Sequence, residues 1–213
     1  MRLAVFASGS GTTFAALADA AARGELGPVE VALLVSDRAG AGALERAEKR
    51  GIVTRRAAPD DDGHAEDLLQ LLDAHDVGFV ALAGYLQKVP PPVVNAFREK
   101  MLNIHPALLP AFGGKGMYGT RVHEAVLDYG ARWTGATIHL VEKEYDTGPI
   151  VLQQPVPVRP GDTPATLAER VGRAERRLYP EAVRLFATGR VTVEGRRIEI
   201  ENDPLASRRA PGA

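Results

Sequence analysis

Residues 1–105 alternate short apolar runs, rich in β-branched and aromatic residues, with stretches whose apolar positions recur at helical spacing. Strands are predicted over Leu3 to Ala7, Val29 to Val35, Val53 to Ala57, Val77 to Ala83 and Met101 to His105. Helices are predicted between them over Thr12 to Arg23, Gly42 to Arg50, His64 to His75 and Pro91 to Lys100. Gly24 and Gly51 close the first two, because glycine readily takes the left-handed conformation of a helix terminus. This alternation marks βαβ units on a parallel sheet. The run Val77-Gly78-Phe79-Val80-Ala81-Leu82-Ala83 lacks polar alternation, as suits a central strand covered on both faces.

After His105 the rhythm changes. The stretch Gly113-Gly114-Lys115-Gly116-Met117-Tyr118-Gly119 has no periodicity and reads as a mobile loop. A short helix over Val122 to Tyr129 follows, then strands over Ala136 to Val141 and Ile150 to Pro155, whose close spacing favours antiparallel pairing. From Pro164 a helix carries Leu167, Val171, Ala174 and Leu178 on one stripe, and Pro180 is expected to kink or divide it. Val191 to Val193 and Arg197 to Ile200 predict a terminal hairpin, and the residues past Asn202 a loose tail. The fold class expected is α/β: one Rossmann-like domain with a mostly parallel twisted sheet, helices on both faces and antiparallel strands toward the C-terminus. The catalytic domain is assigned to 1–189, and the hairpin and tail to 190–213.

Composition narrows the function. The 213 residues suffice for one good core, 45% are apolar and 25% charged, and the formal net charge of -1 offers no electrostatic case for nucleic acid. Without cysteine there is no thiol nucleophile, disulfide or thiolate metal site. The five histidines show no metal-ligand spacing, so no metal is expected. The apolar start at Arg2 to Ala7 is too short for an export signal and no run reaches a membrane span, so a cytoplasmic protein without a membrane partner is expected.

The chemistry concentrates in Asn103-Ile104-His105-Pro106 and Asp146-Thr147-Gly148-Pro149. On an extended strand Asn103 and His105 leave the same face while Ile104 enters the core, and Pro106 ends the strand there. An amide, an imidazole and a carboxylate can stabilise an oxyanion, move a proton and orient its carrier, which suggests acyl-type transfer without a covalent intermediate. Taken alone, Asp146 reads as a turn residue capping its own backbone. His139 and Thr137 share one face of a predicted strand and either line the same cleft or pack. The turn Ser8-Gly9-Ser10-Gly11-Thr12-Thr13, between a strand and a helix, is a candidate phosphate site. A dinucleotide fingerprint would want glycine near Phe14, although Asp37 stands where a ribose partner would be. Glu175 lies among Arg173, Arg176 and Arg177, where a solvated charged face is the ordinary reading.

In order, Ser8-Gly9-Ser10-Gly11, Leu82-Ala83-Gly84-Tyr85, Asn103-Ile104-His105-Pro106-Ala107-Leu108-Leu109-Pro110 and Asp146-Thr147-Gly148-Pro149-Ile150 resemble the phosphoribosylglycinamide formyltransferases. The motifs are shared with methionyl-tRNA formyltransferase and formyltetrahydrofolate deformylase, which carry further domains for which this length leaves no room. The resemblance, from Met1 to about Gly189, implies formyl transfer from 10-formyltetrahydrofolate to the amine of glycinamide ribonucleotide, with hydrolysis of the same folate as the alternative. It implies Asn103, His105 and Asp146 as the catalytic set, with His105 protonated. Gly11, Thr12 and Thr13 would hold the phosphate and Glu175 the ribose, while Tyr85, Leu86, Gln87, Val89, Val141 and Glu144 would bind the folate. The chain departs from the family pattern in Thr12-Thr13 for the common Ser-Asn, in Gln87 for a common Arg, and in a longer loop over Gly113 to Gly119. That loop suits a lid, and Lys115 and His123 are candidates to reach substrate. Expected partners are small molecules, with the chain a monomer or homodimer.

Overall fold

Alternate residues of the first strand enter opposite layers. Leu3, Val5 and Ala7 join one apolar cluster, and Ala4 and Phe6 join another. The computed structural model describes residues 1–57 and 64–202. Its strands are β1 (Arg2–Phe6), β2 (Glu30–Ser36), β3 (Val53–Arg56), β4 (Phe79–Leu82), β5 (Met101–His105), β6 (Trp133–Leu140), β7 (Ile150–Pro157), β8 (Val191–Glu194) and β9 (Arg197–Ile200). The helices are α1 (Thr12–Ala22), α2 (Gly42–Glu48), α3 (His64–Ala74), α4 (Pro91–Ala96), α5 (Thr120–Asp128) and α6 (Pro164–Ala187).

A seven-stranded sheet has the order β3-β2-β1-β4-β5-β6-β7. The contacts from β3 through β5 are parallel, and β6 and β7 join antiparallel. Phe14 and Leu17 of α1, Ala43 and Ala47 of α2 and Tyr179 and Val183 of α6 cover one face, while Leu68 and Leu72 of α3 and Val93 and Val94 of α4 cover the other. The expected α/β architecture with an antiparallel C-terminal part is therefore the observed one. The strand order reverses direction between β1 and β4, and such a reversal opens a crevice at the carboxyl ends of the strands.

Two expectations need correction. Helix α4 stops at Ala96, because Phe97 leaves helical geometry and Glu99 takes a left-handed φ of 60°, turning the chain into β5. Helix α6 runs undivided through Pro180, since Tyr179, Ala182 and Val183 are buried on either side of it and hold the helix against the sheet. Tyr179 is fully buried, with its hydroxyl 3.1 Å from the Leu82 carbonyl oxygen and 2.9 Å from that of Leu102. It thereby fastens α6 to β4 and β5. Tyr179→Phe leaves these buried acceptors with one donor fewer and is expected to cost about 1–2 kcal/mol of stability, measurable by denaturant unfolding.

The β8–β9 hairpin forms its own two-stranded sheet, with Val193 and Ile198 packed against the main core and Arg196 donating to the Thr147 carbonyl at 2.9 Å. The tail expected past Asn202 lies outside the described residues. Among the described residues no helix is long and apolar enough to cross a membrane.

Candidate active site

Three turns leave the carboxyl ends of β1, β4 and β5. In the first, Gly11 has φ +74°, and a Cβ there would lie 2.5 Å from the Ala43 Cα, so both the conformation and the space call for glycine. Helix α1 starts at the next residue with no side-chain cap, leaving its first N–H groups available to an anion. The Ser8 hydroxyl accepts the Leu86 N–H at 2.9 Å and the Ser8 N–H donates to the Gly84 carbonyl at 3.1 Å. These bonds set the turn after β1 against the segment after β4.

Beyond β5 the site is assembled across an antiparallel pair. The register places Asn103 opposite His139 and His105 opposite Thr137. His139 Nδ1 donates to the Leu140 carbonyl at 2.8 Å, which leaves Nε2 to accept from Asn103 Nδ2 at 3.0 Å. Asn103 Nδ2 also lies 3.4 Å from Asp146 Oδ1, and His139 Nε2 lies 3.5 Å from it. The other oxygen, Asp146 Oδ2, accepts the Gly114 N–H at 2.8 Å and faces His105 Nδ1 at 3.5 Å. Asp146 has a left-handed φ of 57°, tolerated by a short polar side chain, and this turn aims its carboxylate back at β5. Thr137 packs instead: its hydroxyl donates to the Ala107 carbonyl at 2.7 Å and accepts the Leu109 N–H at 3.1 Å, bracing the chain that follows His105.

Burial decides the charge of His105, which is 3% exposed. Loss of solvent pushes its pKa down, and the neighbouring Asp146 and the Phe112 carbonyl only partly offset that. A protonated His105 was expected beside a carboxylate; the desolvated ring is instead neutral, with Nε2–H donating to the Phe112 carbonyl at 2.8 Å. For Asp146, burial pushes upward, but the His139 and His105 rings, to the extent that either takes up a proton, and the Gly114 N–H outweigh it and hold the carboxyl below its ordinary value. Asp146 is therefore ionised at neutral pH.

These groups line one cavity of about 730 Å³. Asn103, His105 and Asp146 stand on its wall, as do Gly11, Thr12 and Thr13 at the start of α1 and Glu175 on α6. Tyr85, Leu86, Gln87 and Val89 form another wall together with Val141, which packs in the same apolar cluster as Tyr85 and Val89, and Glu144, whose carboxylate lies 3.4 Å from Lys88 Nζ. Glu175 is thus no solvated surface charge: it is half-buried, and desolvation raises its pKa to about 7. Asp37 does not stand open as a ribose partner, since it is buried and accepts from Gln87 Nε2 at 3.2 Å. Of the Gly113 to Gly119 loop, Gly114 to Gly119 line the cavity, Lys115 among them, and so does His123. His139 is the member that sequence reasoning left undecided. The signal for it was the same-face alternation with Thr137, and only the register with Asn103 gives it meaning. Among the described residues no group of three or more His, Cys, Asp or Glu side chains is arranged to hold a metal ion.

An uncapped helix N-terminus, an amide, an imidazole and an ionised carboxylate around one cleft make a site suited to group transfer of the formyltransferase kind. The chain belongs to the formyl transferase family, whose model matches residues 1–183. It is similar to the chloroplastic phosphoribosylglycinamide formyltransferase of Arabidopsis thaliana, 44% identical over 195 residues covering 89% of this chain. The chain spans 66% of that relative's length. It is also 41% identical over 197 residues to the phosphoribosylglycinamide formyltransferase of Mycobacterium tuberculosis, covering 92% of this chain and 89% of that one. The crystal structure of glycinamide ribonucleotide transformylase 1 from Symbiobacterium toebii matches with a TM-score of 0.89 at 41% identity, covering 95% of this chain and 94% of that one.

Proposed function

We propose that the chain transfers the formyl group of 10-formyltetrahydrofolate to the primary amine of glycinamide ribonucleotide, a step of purine synthesis. The observation that carries this reading is the convergence of Asn103, His105 and Asp146 between an uncapped helix N-terminus and a partly apolar wall, all on one cavity. The nucleotide phosphate would take the N–H groups of Gly11, Thr12 and Thr13, and Glu175 would accept from the ribose hydroxyls. The formyl donor suits the opposite wall, where buried Val89 and half-buried Val141 can cover a flat ring and the backbone of Tyr85 to Gln87 can read its polar edge.

As the amine adds to the formyl carbon, negative charge develops on the formyl oxygen. The donors suited to it are Asn103 Nδ2 and the Nε2–H of His105, which in this structure meets the Phe112 carbonyl. Residues 112–119 must therefore give way for the transfer. A proton taken up at His105 Nδ1 would face the ionised Asp146, so the imidazole can turn cationic during the reaction. The bond from carbon to the amine nitrogen forms, the bond to N10 breaks, and the amine's proton passes by way of Asp146 and a water to N10.

The test is amine dependence. Consumption of the formyl donor should require glycinamide ribonucleotide, whereas formate release at an unchanged rate without the amine would favour hydrolysis. A second expectation concerns pH. Glu175 is neutral below about 7 and ionised above, and the ionised form is the better acceptor for hydroxyls. The KM for the nucleotide should therefore fall as pH rises through that value. The substrate phosphate titrates in the same region, and Glu175→Gln, which should flatten only the protein's share of the profile, separates the two. Stability of the protein alone should run the other way: a carboxyl with a raised folded pKa adds stability below 4.5 that is lost as pH rises toward about 7. We assign the reaction to the cytoplasm and the chain to a monomer or homodimer acting on small molecules; the near-neutral charge supports small-molecule partners over nucleic acid.

A further inference from the structure

One buried polar side chain of the cavity has no part in the chemistry above. His123 lies on α5 directly after the loop 113–119 and is only 4% exposed. Its Nδ1 is fully buried without a hydrogen-bond partner, and no bond to its Nε2 is found among the described residues. A buried polar atom left unpaired in a folded protein needs an explanation, and a ligand-facing role is one.

Its place in the fold gives the role. Val126, one helical turn further along α5, packs with Val171 and Ala174 of α6. Glu175 follows Ala174, and it lines the cavity together with Gly172 and His123. His123 also lies near enough to His105 that a charge on the latter ring would disfavour one on the former, and burial acts in the same direction. The ring is thus neutral, with one nitrogen able to donate and the other to accept. It lines the same cavity as Glu175, Asn103 and His105.

We propose that His123 holds the amide and amine arm of the nucleotide acceptor, its ring turning to present an unpartnered nitrogen to that arm and aiming the amine at the formyl carbon. This rests on the proposed formyl transfer to glycinamide ribonucleotide. An acceptor anchored at its phosphate and ribose is otherwise free to rotate about the bonds of its arm, and a fixed polar contact near the nucleophile removes that freedom. The role is specific to the acceptor, since the wall that suits the folate lies at Tyr85 to Val89.

The test compares the wild-type chain with His123→Leu, which fills the space without a nitrogen, and His123→Asn, whose amide can stand near the position of Nδ1. For His123→Leu the KM for glycinamide ribonucleotide should rise about tenfold or more, with the KM for the formyl donor unchanged within twofold. His123→Asn should recover most of the loss. A second readout is free of turnover: with 15N-labelled histidine, adding glycinamide ribonucleotide alone should shift the His123 ring nitrogens of the wild type. If wild-type transfer is amine-dependent but His123→Leu keeps its KM, or the ring signals stay in place at saturating nucleotide, the proposal is overturned. Loss of both KM values together, without rescue by asparagine, would also overturn it by marking the ring as purely structural. Absence of amine-dependent transfer in the wild type would instead sink the underlying reading.

Discussion

Asn103→Ala and Asp146→Asn should each lower kcat about 10²- to 10³-fold, with substrate KM values changed only modestly. The size follows from what each side chain faces. Asn103 supplies an amide donor within 3.0 Å of His139 and 3.4 Å of Asp146, so its removal takes an oxyanion donor away and also loosens the ring and the carboxylate beside it. Asp146→Asn keeps the shape but replaces an ionised acceptor with a neutral amide. The Gly114 N–H and His105 would then face a group that no longer stabilises positive charge. On the proposed reading, uniform substrate binding lies elsewhere in the cavity, at Gly11 to Thr13 and Tyr85 to Val89, so the loss should fall on kcat. Steady-state kinetics for both substrates would show it, and near-normal turnover in either variant would remove that residue from the catalytic set.

Gly148→Ala should be comparably damaging although the residue touches no substrate. A Cβ at Gly148 would fall 1.8 Å from the Leu140 carbonyl oxygen and 2.7 Å from its carbon. Both are backbone atoms of β6, and the Leu140 N–H is already bound to the Pro149 carbonyl at 2.9 Å, so neither side can step aside cheaply. The segment must shift and carry Asp146 with it. A displacement of about 1 Å at a reacting group can cost about 100-fold in rate, and crowding of this kind costs about 1–3 kcal/mol of stability. Gly78→Ala is the control, since a Cβ there meets nothing within 4 Å and the φ is not left-handed. It should change neither rate nor unfolding midpoint appreciably.

Much of this was legible in the chain before any coordinates. The apolar runs gave β1, β2, β4 and β5 because a parallel strand buried on both faces shows itself as a short uninterrupted stretch, as at Phe79 to Leu82. Asn103 and His105 were legible together because strand geometry places alternate residues on one face, and Pro106 marks where that face ends. What could not be read was register. Nothing local says that Asn103 pairs with His139, so the second imidazole of the cluster stayed undecided between cleft and core. The charge of His105 was misjudged for a related reason. A carboxylate neighbour was expected from the motif, but the burial that outweighs it is a property of the packed fold that the motif does not specify. Glu175 looked like one charge among arginines, and only the packing of α6 over the cavity turns it inward. The continuity of α6 across Pro180 likewise reflects core contacts on both sides, which override the local cost of a missing donor.

The most direct measurement follows the carbon itself. With 10-formyltetrahydrofolate labelled at the formyl carbon, glycinamide ribonucleotide and the purified chain, carbon NMR should show the label moving into an N-formyl amide of the nucleotide, with little free formate. Label appearing as formate at the same rate whether or not the nucleotide is present would contradict transfer to an amine and leave a hydrolase in its place.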